Sequence, residues 1–311
     1  MSKPLALVTG GAGFIGSHVV DRLLAEGWRV RVLDNLATGR RDNLAPALPR
    51  IEFIEGDLLD ERCLQRAVTG VEVVFHLAAL GSVTRSMQNP VATNEANVTG
   101  TLRLLEAARA LAVRRVVYSS SSSVYGENPE LPRVETQKAQ PVSPYAVSKL
   151  AAEHYCRVFT RQFQLETVIL RYFNVFGPRQ DAHSAYAAII PRLLDSARNG
   201  CEPVIFGDGT QTRDFTYVAN VVDANLLAVH ATGVAGEVFN VGSGREVSLL
   251  ELIGYINECA GVALRPRFAP RRPGDVQSSR ACIDKAQSLL DYEVKVTCFQ
   301  GLASMLNGCR P

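Results

Sequence analysis

The first 172 residues alternate between short apolar runs and segments of helical periodicity, and this pattern constrains the fold more than any other feature. Each strand-like run is rich in Val, Leu and Ile, and most are followed by apolar residues three or four positions apart. Such alternation is typical of a doubly wound α/β protein, in which right-handed crossovers place helices on both faces of a parallel sheet. The pattern predicts strands at 5–8, 29–33, 51–54, 71–76, 115–118 and 168–170, and helices at 14–26, 94–111 and 145–163.

The second half of the chain has shorter strands and a different order of elements. Helical patterns cover 191–199, 218–230 and 248–259, and a strand at 238–241 is expected to rejoin the first sheet. We therefore predict a Rossmann-type doubly wound parallel sheet with a smaller α/β substrate domain. The predicted division gives 1–172 and 213–243 to the nucleotide-binding domain and 173–212 and 244–311 to the smaller one.

The composition is that of an ordinary globular protein. The 311 residues are 47% hydrophobic and carry a net charge of +2, so no strong field favours nucleic acid or a membrane surface. The seven cysteines show no C-x-x-C pair, and the histidines show no metal-ligand spacing. The chain leaves no room for a signal peptide before its first strand. We expect a cytoplasmic protein with reduced thiols, no metal site and a small-molecule substrate.

A glycine-rich loop joins the first predicted strand to the first helix. Gly10, Gly13 and Gly16 permit close approach of the backbone to a pyrophosphate, which the helix N-terminus also attracts. Asp34 ends the second strand, where a carboxylate accepts hydrogen bonds from the adenosine ribose and repels a 2′-phosphate. The loop therefore predicts NAD, and three nearby arginines leave NADP as the lesser alternative: Arg31, Arg40 and Arg41.

A Y-x-x-x-K pair at the start of a long helix carries the predicted reaction. Tyr145 and Lys149 share one helix face, and a lysine ammonium together with a positively charged nicotinamide favours the phenolate. An exposed Tyr/Lys pair would carry no chemistry, but this one follows the fifth strand of the predicted sheet. Ser121, at the carboxyl end of that strand, is placed to donate a hydrogen bond to the substrate oxygen.

The motifs together resemble those of the extended short-chain dehydrogenase/reductase family, in its nucleotide-sugar epimerase branch. The resemblance covers essentially the whole chain. Its segments include TGGAGFIGSH at 9–18, HLAA at 76–79, SSSSSVYG at 119–126, SPYAVSK at 143–149, RYFNVFGPRQ at 171–180 and RRPGD at 271–275.

The resemblance implies a role for each matching residue. Tyr145 removes the proton of the sugar 4-OH while C4 gives a hydride to NAD, Lys149 holds the nicotinamide ribose, and Ser121 bonds the sugar oxygen. The further residues implied in cofactor binding are Gly10, Gly13, Phe14, Ile15, Gly16, Asp34, Asn35, Thr38, Gly39, Asp57, Leu58, Leu77, Ala78, Ala79, Asn97, Ser119 and Tyr172. Those implied in substrate binding are Gly81, Ser82, Ser121, Ser122, Ser123, Tyr145, Asn174, Gln180, Ile189, Val204, Phe206, Arg213, Arg272, Asp275 and Ser279.

Two positions bear on the choice of reaction and sugar. Family dehydratases and decarboxylases have a carboxylate just before the V-Y-G, where this chain has Ser123, so a C4 epimerase is expected. Ser279 matches a gatekeeper position at which a tyrosine would crowd a 2-acetamido group. We expect interconversion of UDP-GlcNAc and UDP-GalNAc, with UDP-Glc and UDP-Gal as weaker substrates.

Other functions remain open at this point. A UDP-glucuronate 4-epimerase would use Arg85 or Arg179 to meet the sugar carboxylate, and another nucleotide-sugar-modifying activity of the family is also an alternative. A non-catalytic NAD-binding relative would be expected to lack Tyr145 or Lys149, and both are present. The resemblance also implies a homodimer that pairs the helices near 94–111 and 145–163 as a four-helix bundle.

Overall fold

Seven parallel strands form the central sheet of the computed structural model, which describes residues 3–181, 189–271 and 277–307. The order across the sheet is β11–β6–β5–β4–β1–β2–β3, so the strand order reverses next to β1. This topology confirms the predicted Rossmann-type fold, and it opens a ligand crevice at the carboxyl ends of the strands. The seven strands are β1 (Leu5–Thr9), β2 (Arg29–Asp34), β3 (Ile51–Glu55), β4 (Val73–His76), β5 (Arg115–Ser121), β6 (Glu166–Tyr172) and β11 (Val238–Val241).

Helices cover both faces of this sheet. The alternation of the β1 side chains shows the two layers, because Val8 faces one buried cluster and Leu7 the other. The first layer contains α1 (Phe14–Ala25), α8 (Val218–His230) and α10 (Asp284–Leu290). The second contains α2 (Glu61–Val68), α5 (Gly100–Ala110) and α6 (Pro144–Phe163).

A third buried cluster lies apart from the sheet and includes Leu193, Ile205, Phe215 and Leu252. It supports the predicted substrate domain, whose boundaries stay a prediction. The helices around it are α7 (Ile189–Asn199), α9 (Leu249–Ala260) and α11 (Cys298–Asn307). The short strands of this part of the chain are β7 (Val175–Phe176), β8 (Val204–Phe206), β9 (Thr212–Arg213), β10 (Thr216–Tyr217), β12 (Val247–Ser248) and β13 (Arg267–Ala269).

The helix predicted over 94–111 is present, but it begins earlier, at Pro90, and contains a π-helical turn. Three pieces occupy the region: α4 (Pro90–Asn94), a π-helical turn (Glu95–Thr99) and α5, and they follow α3 (Val83–Gln88). Apolar periodicity does not reveal a π-helical turn, which adds one residue to a helix and often marks a functional site. The side chain of Asn97, inside the turn, is buried and bonded to other segments, as described below.

Three further observations concern the described residues only. They contain no helix that is both long and apolar enough to cross a bilayer. They also contain no group of three His, Cys, Asp or Glu side chains able to hold a metal ion. The six cysteines among them are free thiols, and the cytoplasmic location stays a prediction.

Candidate active site

The glycine loop approaches the end of β4 so closely that side chains would not fit. Gly10 has φ +70°, and a Cβ there would lie 2.6 Å from the backbone nitrogen of Ala78. A Cβ on Gly16 would collide with the carbonyl oxygen of Gly10. Gly13 is the N-cap of α1 and supplies no side-chain cap, so the helix N-terminus faces the loop with donors for an anion.

The carboxylate of Asp34 lies at the end of β2 and is almost fully buried. Its two oxygens accept the N–H groups of Ala12 at 2.9 Å and Leu36 at 2.8 Å, while burial raises its pKa. Gly39 packs against it, because a Cβ there would lie 2.9 Å from Oδ1. Beside this carboxylate, Asn35 donates a hydrogen bond to Asp57 at 2.6 Å, which joins the ends of β2 and β3.

The three arginines that left NADP open all have protein partners. Arg31 donates to the carboxylate of Glu52 at 2.7 Å and to three carbonyls at the end of α2. Arg40 and Arg41 pair with Asp42 at 3.5 Å and Glu55 at 3.4 Å on the surface. These contacts favour the interpretation of Asp34 as the site of an unphosphorylated ribose.

Tyr145 stands on the first turn of α6, where the local sequence fixes its place. Ser143 caps the helix by accepting the N–H of Ala146 at 3.2 Å, and Pro144 occupies the first helical position. The Tyr145 phenol is half-buried, and the nearby side chain of Ser121 acts to lower its pKa. The structure therefore brings together two of the three residues predicted for catalysis.

Lys149 lies one turn further along α6 and is 3% exposed. Its ammonium donates to the carbonyl of Ser119 at 2.8 Å and lies 5.1 Å from the ring centroid of Tyr118. Burial lowers the pKa of Lys149 to about 8, while the charge of Glu153 opposes this shift.

Burial is the largest influence on the pKa of Tyr145 in the protein alone. Burial of the phenol raises its pKa, and the nearby side chain of Ser121 only partly offsets that effect. The Lys149 ammonium is bonded to the carbonyl of Ser119. The combined effect expected of Lys149 and a positively charged nicotinamide on the phenol stays a prediction.

A chain of hydrogen bonds runs behind the glycine loop from β1 to the π-helical turn. Thr9 bonds Nδ1 of His76 at 2.7 Å, Nε2 of His76 bonds Thr101 at 2.8 Å, and Thr101 donates to the carbonyl of Asn97 at 2.6 Å. Because the Thr101 hydroxyl proton is thus committed, His76 is protonated at Nε2. Burial lowers the pKa of His76 to about 3, so the imidazole stays neutral.

Asn97 links two segments of the site. Its Oδ1 accepts the N–H of Leu80 at 2.8 Å, and its Nδ2 donates to the hydroxyl of Ser148 at 3.0 Å. Ser148 in turn donates to the carbonyl of Tyr145 at 2.8 Å. Asn97 therefore supports the site through α6 and the Leu80 backbone.

Residues predicted for substrate binding line a cavity of about 290 Å³ next to this site. The cavity is bounded by the loop after β6, by α7, and by β8 and β9, and its walls are mixed apolar and polar. Six of the predicted residues are among its lining: Asn174, Gln180, Ile189, Val204, Phe206 and Arg213.

The remaining predicted residues lie in several places. Ser82 caps α3 by accepting the N–H of Arg85 at 3.1 Å, next to an open position at Gly81. The buried hydroxyl oxygen of Ser123 has no hydrogen-bond partner among the described residues. Ser279 is half-buried, whereas Arg272 and Asp275 lie outside the described residues.

Sequence reasoning missed four buried polar side chains around the site. Glu153 of α6 holds Arg171 of β6 through two bonds, at 2.9 and 2.7 Å, and also accepts the hydroxyl of Ser120. Asp214 and Asn240 are both fully buried: Asp214 accepts the N–H of Ser243 in the loop after β11, and Asn240 donates to the carbonyl of Arg133 in the segment before α6. A charged residue inside an apolar strand, as Arg171 is, was the available signal.

The profile of the NAD dependent epimerase/dehydratase family matches residues 6–242 of the chain. The chain belongs to this family. NAD is therefore its cofactor, and the residues fit it. Side chains in place of Gly10 and Gly16 would fill the glycine loop, and a buried carboxylate, Asp34, ends β2.

Individual relatives match nearly the whole chain. The UDP-glucose 4-epimerase of Mycolicibacterium smegmatis is 42% identical over 306 residues, which is 96% of each chain. A UDP-N-acetylglucosamine 4-epimerase from Methanobrevibacter ruminantium, solved with UDP-N-acetylmuramic acid, is 38% identical with a TM-score of 0.94, covering 99% of this chain and 98% of its own. A UDP-glucuronic acid 4-epimerase from Bacillus cereus, solved with UDP-glucuronic acid and NAD, is 34% identical with a TM-score of 0.90, covering 97% and 98%.

Proposed function

We propose that the protein interconverts UDP-hexoses that differ in configuration at C4. The observation that carries this proposal is the placement of Tyr145 and the buried Lys149 on one face of α6, with the Lys149 ammonium bonded to β5 at Ser119, two residues before Ser121 at the end of that strand. A phenol and a hydroxyl at this place suit one sugar hydroxyl, because the phenol oxygen accepts its proton and the serine hydroxyl bonds its oxygen. Relatives named as 4-epimerases of three different UDP-sugars support the class of substrate.

The chain's own residues move the proton. Tyr145 takes the proton of the sugar 4-OH, Ser121 holds O4, and Lys149 holds the cofactor ribose close to the phenol. Bound NAD would supply the hydride chemistry at C4, and the glycine loop and Asp34 would hold it beside the sugar. Tyr145 then gives the proton back to O4, so that no atom is gained or lost.

Substitution of Tyr145 tests the catalytic assignment. Tyr145→Phe removes the group that carries the proton and is expected to lower kcat about 100- to 10,000-fold while NAD still binds. Epimerisation is measured by NMR of the product mixture, and NAD by its absorbance in the purified protein. Turnover of the variant equal to that of the wild type would show that Tyr145 is not the base.

The preferred sugars of this proposal are UDP-GlcNAc and UDP-GalNAc, with UDP-Glc and UDP-Gal as weaker substrates. A serine at position 279 leaves room for a 2-acetamido group and is able to hydrogen-bond it. Ser279→Tyr is expected to lower kcat/KM for the acetylated sugars about 100-fold and to spare UDP-Glc, whereas Ser279→Ala adds no bulk and spares both. An equal loss on both sugars would contradict the gatekeeper role.

The alternative substrate is UDP-glucuronate. Of the two arginines that would meet its carboxylate, Arg179 is paired with Asp21 of α1 at 2.6 Å. This pairing disfavours Arg179 as the sugar ligand and leaves Arg85 as the arginine that would meet the carboxylate. A panel of UDP-GlcNAc, UDP-Glc and UDP-glucuronate separates the three activities in one experiment.

We also propose a homodimer formed by α6 and the helices beside it. Val147, Tyr155 and Val158 are exposed on α6, and Val83, Met87 and Val91 are exposed on the neighbouring helices α3 and α4. Val83 and Met87 lie one turn apart on α3, and Val91 lies on α4 beyond the break at Asn89. A second copy of the chain, related by a two-fold axis, buries these exposed side chains of both copies in a four-helix arrangement.

A further inference from the structure

The side chain of Asn240, on β11, is fully buried, and both of its polar atoms are hydrogen-bonded. Its Oδ1 accepts the phenol proton of Tyr125 at 2.6 Å. Its Nδ2 donates to the carbonyl of Arg133 at 2.8 Å and to that of Cys282 at 3.2 Å. Asn240 therefore ties together three segments that are distant in sequence.

The first of these segments is the serine turn, which we define as Ser121–Tyr125. Ser121 caps its 3₁₀ turn by accepting the N–H of Ser123 at 3.2 Å, and Tyr125 ends the turn. The Tyr125 ring is held on one face by the guanidinium of Arg171, 4.8 Å from the ring centroid. With its hydroxyl fixed by Asn240, Tyr125 anchors the segment that carries Ser121.

The second segment is the wall, which we define as residues 279–282, with Ser279 at its start. Its backbone is bonded on both sides: the carbonyl of Arg280 accepts the N–H of Arg133 at 2.7 Å, and the N–H of Cys282 donates to the carbonyl of Arg133 at 2.8 Å. The N–H of Ala281 donates to the buried carboxylate of Asp214 at 3.1 Å.

The serine turn and the wall are also in direct contact. Ala281 packs with Val124, Tyr125 and Phe173 in one buried cluster. The two segments thus lie side by side, and Asn240 bonds both from the same side chain. No other residue type supplies one acceptor and two donors in this geometry, because aspartate lacks the donors and leucine lacks both the donors and the acceptor.

We propose that Asn240 is a positioning residue that sets the spacing between the serine turn and the wall, and through it the selection of the sugar. This inference rests on the proposed function, in which Ser121 and Ser279 both face the hexose. Asn240 acts through Tyr125 and the wall backbone and has no contact of its own with the reacting atoms.

Tyr125→Phe tests the proposal because it removes one hydroxyl and no volume from the core. We expect KM for UDP-GlcNAc to rise at least about fivefold, and the ratio of kcat/KM between UDP-GlcNAc and UDP-Glc to change at least about threefold. Binding of UDP alone and of NAD is expected to stay within about twofold of wild type, because in the proposed function Ser121 and Ser279 face the hexose. Asn240→Ala is expected to shift the ratio in the same direction.

Thr167→Val is the matched control. The fully buried Thr167 hydroxyl donates to the carbonyl of Cys156 at 2.9 Å near the amino end of β6, so the variant loses a comparable bond away from the serine turn and the wall. If Tyr125→Phe changes KM and the sugar ratio no more than Thr167→Val does, the positioning role is wrong. A wild-type protein that epimerises no UDP-sugar would instead overturn the proposed function, while UDP and UDP-GlcNAc binding to the variants would still test the spacing.

Discussion

Lys149 is a cation placed where charge is costly. Its ammonium is buried between the carbonyl of Ser119 and the ring of Tyr118, and burial lowers its pKa to about 8. Glu153, one helical turn away, partly offsets this cost. Keeping this buried residue charged at neutral pH therefore lowers the free energy of unfolding of the protein.

The stability of the protein is expected to depend on pH through Lys149. Between pH 8 and a lysine's ordinary value of 10.5, the unfolded chain holds more protons at this residue than the folded chain does. The free energy of unfolding of the wild type should therefore rise with pH relative to Lys149→Met, by about 1–3 kcal/mol over this window. Urea unfolding at several pH values measures the difference.

Lys138→Met is the control for that experiment, because Lys138 is exposed and its ammonium stays in water. Its substitution should leave the pH dependence of stability as in the wild type. If the difference between wild type and Lys149→Met is flat from pH 8 upward, the burial argument for Lys149 is wrong.

At the scale of single residues, the sequence patterns located the candidate catalytic side chains but not the buried residues that hold them in place. Tyr145, Lys149 and Ser121 follow from a spacing and a strand end, because each lies on one short element. The bond between Asn240 and Tyr125 spans 115 positions of sequence. Local periodicity carries no information about such a contact, so the residues that position the site were not predicted.

Helix α6 is tied to the sheet by a buried ion pair at its middle. Glu153 and Arg171 are both almost fully buried and joined by two hydrogen bonds, and Glu153 also accepts the hydroxyl of Ser120 on β5. The pair thus connects the helix that carries Tyr145 and Lys149 with β5 and β6. Its removal should loosen the element on which the proposed chemistry depends.

Glu153→Gln leaves the Arg171 guanidinium buried without its counter-charge. It is expected to lower the free energy of unfolding by about 3–5 kcal/mol. Glu26→Gln, which breaks an exposed pair with Arg22 on α1, should cost less than about 1 kcal/mol. Denaturant unfolding of both variants checks the contrast, and equal losses would contradict a special role for the buried pair.

The elements themselves followed from sequence patterns unevenly. Helix α8 has the predicted bounds, because its buried face and its neighbours are both apolar over 218–230. The region of α4 and α5 does not, since Asn89 caps a separate short helix and the π-helical turn shifts the phase. Polar contacts across the fold decide such breaks, and they are invisible to a periodic pattern.

At the scale of the whole molecule, the apolar face of α3, α4 and α6 is the exposed feature that a second copy would cover. Val158→Lys is expected to convert a dimer into a monomer by placing a charge in its contact. Leu289→Lys is the control, since Leu289 is similarly exposed on α10, away from this face. Sedimentation velocity measures both variants, and a wild-type protein that is monomeric at micromolar concentration would contradict the proposal.

The proposed reaction requires that the hydrogen at C4 of the sugar leaves and returns without mixing with water. A UDP-GlcNAc substrate carrying deuterium at C4 tests this most directly, with NMR of the sugar after equilibration. The account predicts that both epimers retain the deuterium at C4 while the solvent is ordinary water. Loss of the label to solvent, or an absence of the second epimer, would contradict it.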